Sequence, residues 1–235
     1  MEHLDGIVLT LFGYDIEIQA AVLNWLVLGA VLCMMLIIMG KRFERADASQ
    51  APKGIMLVVE MIVGLCRNIV GDNLKDKTSH YLPFFGTLII MMAVSNLLGL
   101  IGLQPPTSNL SVNITLAVMM FLLIQYNGMR KAGIRARLKE LTEPMVLLTP
   151  LNVIGEFALP ISLSMRLFGN ILAGSIIMLL VYTVMKSLSW AGIFGYIAAP
   201  LLHCYFDIFS GLIQTYIFFT LASFFLSQQV VDEED

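Results

Sequence analysis

Residues Met145 to Val184 read MVLLTPLNVIGEFALPISLSMRLFGNILAGSIIMLLVYTV, about 40 residues in which only Glu156 and Arg166 are charged. A soluble helix of this length needs a solvated face, with charge recurring along it. No such face can be drawn here. A bilayer removes the need for one, because an ionic side chain at mid-membrane is costly. Forty helical residues would be about 60 Å long, twice the roughly 30 Å of hydrocarbon. Pro150 and Pro160 would support a break into two crossings, but no polar connector lies between Pro160 and Val184. The pattern therefore predicts one long slanted helix over 145–185. A second apolar run, Trp190 to Leu226, contains His203, Asp207 and Pro200 and predicts a matching helix over 190–227. Together they are expected to form a long tilted hairpin.

The rest of the chain agrees. Of 235 residues, 58% are hydrophobic and 13% charged, about half the charge of a typical soluble domain. Ala20 to Met39 is apolar except for Asn24 and predicts a first span over 20–39. The opening Met1-Glu2-His3-Leu4-Asp5 has no basic n-region, so this stretch is expected to be a permanent span. Ile55, Val58, Val59, Ile62, Cys66 and Ile69 recur at helical spacing among Glu60, Arg67 and Asn68. That predicts an amphipathic helix over 53–74, at the interface or against other spans. Further spans are expected over 82–103 and 110–127, separated by the turn Gln104-Pro-Pro-Thr107. The expected fold is all-α: a single polytopic membrane domain with about five transmembrane helices and one interfacial amphipathic helix.

Charge sets the expected orientation. Lys41, Arg42, Arg45 and Lys53 follow the first span, and Arg130, Lys131, Arg135, Arg137 and Lys139 follow the third. Lysine and arginine are absent from the N-terminus and from the Pro105 loop. The positive-inside rule then puts the N-terminus outside, and the acidic tail Asp232 to Asp235 in the cytoplasm. A net charge of −3 argues against nucleic acid as a partner. Cys33, Cys66 and Cys204 are odd in number, dispersed and set among apolar residues, so no disulfide framework or zinc spacing emerges and packing roles are expected. Zinc pairs, phosphate-binding glycine loops and nucleophile elbows are also missing. No catalytic residue, metal or cofactor is expected.

The chemistry should lie in the charges within the apolar runs. Arg166 is far from either helix end, where a snorkelling arginine belongs. It keeps its proton under essentially all conditions, so it carries protons poorly but offers a fixed positive charge to a carboxylate. Asn170, one turn on, shares its face. His203, Asp207, Ser210 and Gln214, spaced 4, 3 and 4 apart, would form one polar stripe on an α-helix. Such a stripe either glues helices together by hydrogen bonds or lines an aqueous ion path. Glu156 either pairs with a basic residue or lines an entrance. Ser175 either lines a cavity or bonds to its own backbone, and Asn24, Ser95 and Asn96 fit packing roles.

Arg166-Leu-Phe-Gly-Asn170, preceded by Pro160-Ile-Ser-Leu-Ser and followed by Ala173-Gly174, resembles the signature of subunit a of the F-type ATP synthase. Ser95-Asn-Leu-Leu-Gly-Leu100 with Pro105-Pro-Thr107, Pro150-Leu-Asn-Val-Ile-Gly-Glu156 and Phe206-Asp-Ile-Phe-Ser-Gly-Leu-Ile-Gln214 are similar to other stretches of that family. The resemblance implies a bacterial cell-membrane stator that conducts H⁺ or Na⁺ through two half-channels and is not itself an enzyme. Its implied partners are the subunit c rotor ring, the subunit b peripheral stalk and the rest of the synthase. By the same resemblance, Arg166 matches the essential arginine, Asn170 its polar neighbour, and Gln214 a glutamine on the facing helix. Asp207 matches a position held by an acidic residue or histidine. Ser175 stands where some members carry an acidic residue or histidine, which leaves Asp207 as the ionisable group of the outer path. On the residues alone, the alternative is a self-contained secondary transporter that binds an anion at Arg166.

Overall fold

A computed structural model of the chain describes residues 7–11, 14–18, 20–44, 53–101, 103, 105–142, 145–187, 199–202 and 204–230. For 7–11, 14–18, 20, 138, 140 and 207 the backbone alone is described. Five helical stretches are long and apolar enough to cross a bilayer: Ala21–Glu44, Ile55–Ile101, Leu110–Ala132, Val146–Ser187 and Ala199–Val230. The fold is that of an all-α polytopic membrane protein. A short antiparallel ribbon, β1 (Ile7–Leu11) and β2 (Tyr14–Ile18), precedes the helices, with Ile7 opposite Ile18 and Leu11 opposite Tyr14.

Helix α1 (Ala20–Glu44) is mostly uncovered and ends on Lys41 and Arg42, cations suited to a helix C-terminus. The stretch Ile55–Ile101 is not one rod. Helix α2 (Ile55–Leu74) ends in a tight turn, Lys75–Lys77, where Lys75 takes a positive φ of 46°. The chain then continues as α3 (Thr78–Leu97), which packs against α2. Only the last part of α2 (Cys66, Ile69, Val70, Leu74) is buried; Ile55, Val58 and Ile62, on the face that periodicity assigns to packing, are exposed. The apolar face is real, but the bundle covers only its C-terminal end.

Helix α4 (Leu110–Ala132) begins with the Asn109 side chain accepting a hydrogen bond from the Ser111 N–H at 2.9 Å. It stops at Gly133, whose φ of 84° suits glycine and whose N–H bonds the Met129 carbonyl. The basic block thus divides between the end of α4 and a short helix, α5 (Ile134–Thr142). Helix α6 (Thr149–Ser187) is continuous for 39 residues. Pro150 falls in its first turn, where a missing N–H costs nothing, and Pro160 removes one hydrogen bond without ending the helix. After 199–202 and a π-helical segment, Cys204–Ser210, the chain enters α7 (Gly211–Val230).

α7 is the centre of the bundle. It packs on α2, α3 and α4, and Phe218, Phe219, Ala222 and Leu226 are fully buried there with Phe85, Met92 and Met120. α6 lies chiefly along α4 and meets α7 over a short length. The two long stretches of the expected hairpin meet at Asn170–Gln214 and Gly174–Phe206, and α4 packs on both, a neighbour that hydropathy could not name.

Lipid tails are as apolar as leucine, so packing and polar contacts have to hold helices together in a membrane. The buried Asn96 is one such contact: its Nδ2 donates to the Gly211 carbonyl and to Thr215 Oγ1, each at 3.0 Å. Its Oδ1 accepts from Thr107 Oγ1 at 2.6 Å, and Asn113 donates to the Thr107 carbonyl at 2.7 Å. A side chain at Gly211 would put its Cβ 3.0 Å from Asn96 Cβ, so glycine sets this approach of α3 and α7. Asn73 ties α2 to α7 through Ser223 at 2.9 Å.

A third polar knot joins α4, α5 and α6. Arg137 Nη2 lies 2.6 Å from Glu156 Oε1, and Gln125 donates to Glu156 Oε2 at 2.8 Å while accepting from Arg137 at 3.3 Å. Arg137 is only 8% exposed. Removing one partner leaves a poorly solvated charge, whereas removing both leaves neutral amides that can still bond each other. Because the Glu156 side chain keeps some solvent contact, Glu156→Gln should destabilise the detergent-solubilised protein by roughly 1–3 kcal/mol. Arg137→Gln/Glu156→Gln should recover much of that loss and retain ion transport. Thermal unfolding with transport assays on the same preparations checks this; a double variant that is stable but transport-dead would give Glu156 a direct role with the ion.

Candidate functional site

Arg166 occupies the middle of α6, about 26 Å from its first residue and about 32 Å from its last at 1.5 Å per residue. Pro160, Leu163, Ser164, Leu167, Gly174 and Met178 form the buried stripe of this helix. Arg166 lies off that stripe. Its side chain is exposed, as are Gly169 and Asn170 one turn on, and Ile161, Met165, Leu172 and Ile176 extend the exposed surface. Arg166 makes no hydrogen bond or ion pair with any described residue. A permanent cation thus sits at the centre of a helix about 59 Å long, on a side the described residues leave open.

Asn170 connects that side to the core. Its Nδ2 donates to Gln214 Oε1 at 2.9 Å, bridging α6 and α7. Gln214 is 2% exposed, and its Nε2 has no partner among the described residues. A buried donor pair left open is uncommon and marks a place for water or another polar group. Arg166, Asn170 and Gln214 therefore form one polar series from the outer side of α6 to the bundle interior.

A second contact fixes the two strands of this site one turn further along. Gly174 faces Phe206, and a Cβ there would stand 3.3 Å from the Phe206 ring and Cβ. Phe206 and Asp207 belong to the π-helical segment, a widened turn of the kind that often accompanies function. It also changes the reading of the polar stripe. The 4, 3, 4 spacing aligns residues only on a uniform α-helix, and that register is interrupted between Cys204 and Ser210. Gln214 is buried against α6 and Ser210 is half-buried. The backbone of Asp207 lies within the π-helical turn, and His203 lies outside the described residues.

The other expected positions are apart from this series. Glu156 is ten residues, or about 15 Å, earlier on α6 and is held by Arg137 and Gln125. Ser175 is exposed, and its hydroxyl donates to the Leu172 carbonyl at 2.8 Å, the backbone bond open to any helical serine. Gln125 and Arg137 escaped the sequence reading. The available signal was that a lone acid in an apolar run needs a partner, and several basic residues of the α4–α5 region could have supplied it. Among the described residues, no group of three His, Cys, Asp or Glu side chains could hold a metal ion.

Known proteins bear directly on this arrangement. Residues 22–227 match the family described as ATP synthase A chain. The chain is 33% identical over 245 residues to ATP synthase subunit a of Oceanobacillus iheyensis, covering 98% of each protein. It is 33% identical over 213 residues to ATP synthase subunit a 2 of a Bradyrhizobium strain, covering 90% of this chain and 88% of the relative. Similarity to the sodium-ion-specific ATP synthase subunit a of Propionigenium modestum is 29% over 250 residues, all of this chain and 80% of that one. With the family match spanning most of its length and a relative alike from end to end, the chain belongs to the subunit a family of the F-type ATP synthase, the ion-translocating component of its membrane sector.

Proposed function

We propose that this chain is the membrane stator that passes H⁺ or Na⁺ to and from the carboxylates of a subunit c rotor ring, with Arg166 separating two aqueous half-channels. The observation that carries the reading is the exposed guanidinium at mid-α6, joined through Asn170 to the buried Gln214. A guanidinium facing lipid at that depth would be costly. A ring of acids against this side of α6 removes the cost, because each passing carboxylate meets a fixed positive charge that favours its ionised form.

The cycle follows from that preference. An ion enters one half-channel and neutralises a rotor carboxylate, which can then leave Arg166 and travel through the lipid-facing arc. On its return the carboxylate releases the ion into the other half-channel before meeting Arg166 again. The same charge repels a cation that would leak straight across. Each elementary charge crossing about 100 mV supplies about 2.3 kcal/mol, so several must be combined for one ATP. ATP chemistry belongs to the soluble part of the complex, and this chain works as a component of that complex rather than as a catalyst alone.

Residue roles follow the geometry. Asn170 and Gln214 would position water or the rotor carboxylate beside Arg166, and the open Gln214 Nε2 supports that role. Asp207, in the π-helical turn beside the Gly174–Phe206 contact, and His203 would belong to the outer half-channel. Ser175 would line it at most as a hydroxyl, and Glu156, tethered to Arg137 and Gln125, would hold α6 in place near the cytoplasmic mouth without handling the ion itself. The N-terminus would lie outside and the C-terminus in the cytoplasm of a bacterium. Lys77 and Lys131 both donate to the Val230 carbonyl. The start of α3 and the end of α7 thus share one end of the bundle with the basic end of α4, which supports this orientation. Subunit b would be a further partner. The sodium-specific relative keeps Na⁺ open beside H⁺; the rotor carboxylate and its neighbours would decide between them.

Arg166→Ala should reduce ATP-driven ion pumping by the reconstituted complex to background while the complex still assembles. Arg166→Lys should also be strongly impaired, because an ammonium lacks the planar fork and can lose its proton when buried. Normal pumping by Arg166→Ala would remove this residue from the mechanism. Asp207→Asn should slow transport by roughly tenfold or more if its carboxyl relays protons; unchanged rates across the working pH range would exclude that relay.

A further inference from the structure

At the end of the bundle where α3 begins and α4 and α7 end, an open cleft of about 450 Å³ is lined by Lys77, His80, Tyr81, Asn127, Arg130, Lys131 and Val230. Three of these side chains, Lys77, Arg130 and Lys131, are basic, and among the described residues no carboxylate lines the cleft. Its floor is already bonded: Tyr81 Oη donates to Asn127 Oδ1 at 2.7 Å, and Asn127 donates to the Leu123 carbonyl at 2.8 Å. Lys77 and Lys131 converge on the Val230 carbonyl, the helix end that favours cations. Arg130 is exposed and makes no hydrogen bond or ion pair with any described residue. His80 is exposed against the edge of Tyr81, with ring centroids 4.9 Å apart.

From this arrangement we infer that the cleft binds the phosphate of an anionic phospholipid, with Arg130 as its principal ligand. Charge alone would suit any phosphate, but the surroundings favour a lipid. One helical turn from Arg130 toward the middle of α4 comes Tyr126, and one turn further Leu122, both exposed; Phe84 stands in the same relation to His80 on α3. Arg130 and His80 thus each head an apolar lane running toward mid-membrane, where an acyl chain can lie. The cleft is also at the end of a 23-residue crossing helix, which is headgroup depth whichever way the chain is inserted. Basic pockets between membrane helices are established places for anionic headgroups. A zwitterionic lipid would bring its own cation against this wall. None of these residues belongs to the Arg166 series, so the inference stands apart from the ion path.

The test uses the complete synthase in vesicles of phosphatidylcholine with a minor fraction of photoactivatable phosphatidylglycerol. Cross-linked peptides of this chain are then quantified. Adducts should concentrate on the peptides around Tyr81 and Tyr126. They should fall by about fivefold in Arg130→Gln, the factor expected from about 1 kcal/mol for one basic residue near the surface. Arg130→Lys should retain most of the labelling, and ATP-driven pumping should be normal in both variants, which reports intact folding and assembly. Photoactivatable phosphatidylcholine should label the cleft weakly. Equal labelling in wild type and Arg130→Gln would overturn the proposal. So would displacement of the lipid by millimolar inorganic phosphate, which would make this a soluble-anion site. Labelling that appears only after truncation before Asp232 would assign the cleft to the acidic tail and overturn it as well.

Discussion

A guanidinium held halfway along an apolar helix needs a counter-charge or water within reach, and no described residue of this chain brings a counter-charge to Arg166. Arginine cannot escape the cost by releasing its proton, as a buried lysine or carboxyl can. Nor does the helix offer a short route to an end, since Arg166 is many turns from both. In the proposed function, a second surface carrying acids supplies the counter-charge. In the proposed mechanism the constraint becomes the function: the charge that makes the face unfavourable in lipid is what draws in each rotor carboxylate and keeps free cations from crossing.

The rest of the scaffold serves to hold that face open and steady. Among the described residues, α6 is attached along one side: by the Arg137–Gln125–Glu156 knot near its start, by packing on α4, by Asn170 on Gln214, and by Gly174 against Phe206. Those attachments leave Arg166 facing outward. α7, packed among α2, α3 and α4, gives the anchor its rigidity, with Asn96 and Asn73 supplying polar contacts of the kind that oppose separation of helices in lipid.

Much of this could be read in advance, and the gaps have physical causes. Span existence follows from transfer energetics, so hydropathy located the apolar stretches without difficulty. The continuity of α6 followed from the lack of a polar connector, and Arg166 announced itself as a charge with no cheap reason to be there. Neighbours were harder. A helix that is apolar on most sides gives no clue to which side meets which partner, so the packing of α4 on both long helices was hidden. The π-helical turn at Cys204–Ser210 has no compositional signal, and it interrupts the α-helical register that a 4, 3, 4 spacing presupposes. Glu156 could be seen to need a partner, but choosing Arg137 from a block of five basic residues required the fold. The cationic cleft joins residues from three helices and has no trace in any single stretch.

The account turns on what covers the outward side of α6, and cysteine cross-linking in the assembled complex addresses that most directly. Gly169 shares this side with Arg166, and a Cβ built there meets nothing within 4 Å, so Gly169→Cys adds a thiol without disturbing the chain. Paired with a cysteine beside the rotor carboxylate, it should form a disulfide with subunit c under mild oxidation, at several ring positions if the ring is driven to turn. A Gly169→Cys thiol that stays open to membrane-soluble maleimides in the intact complex, and never joins the ring, would contradict the claim that Arg166 faces a rotor.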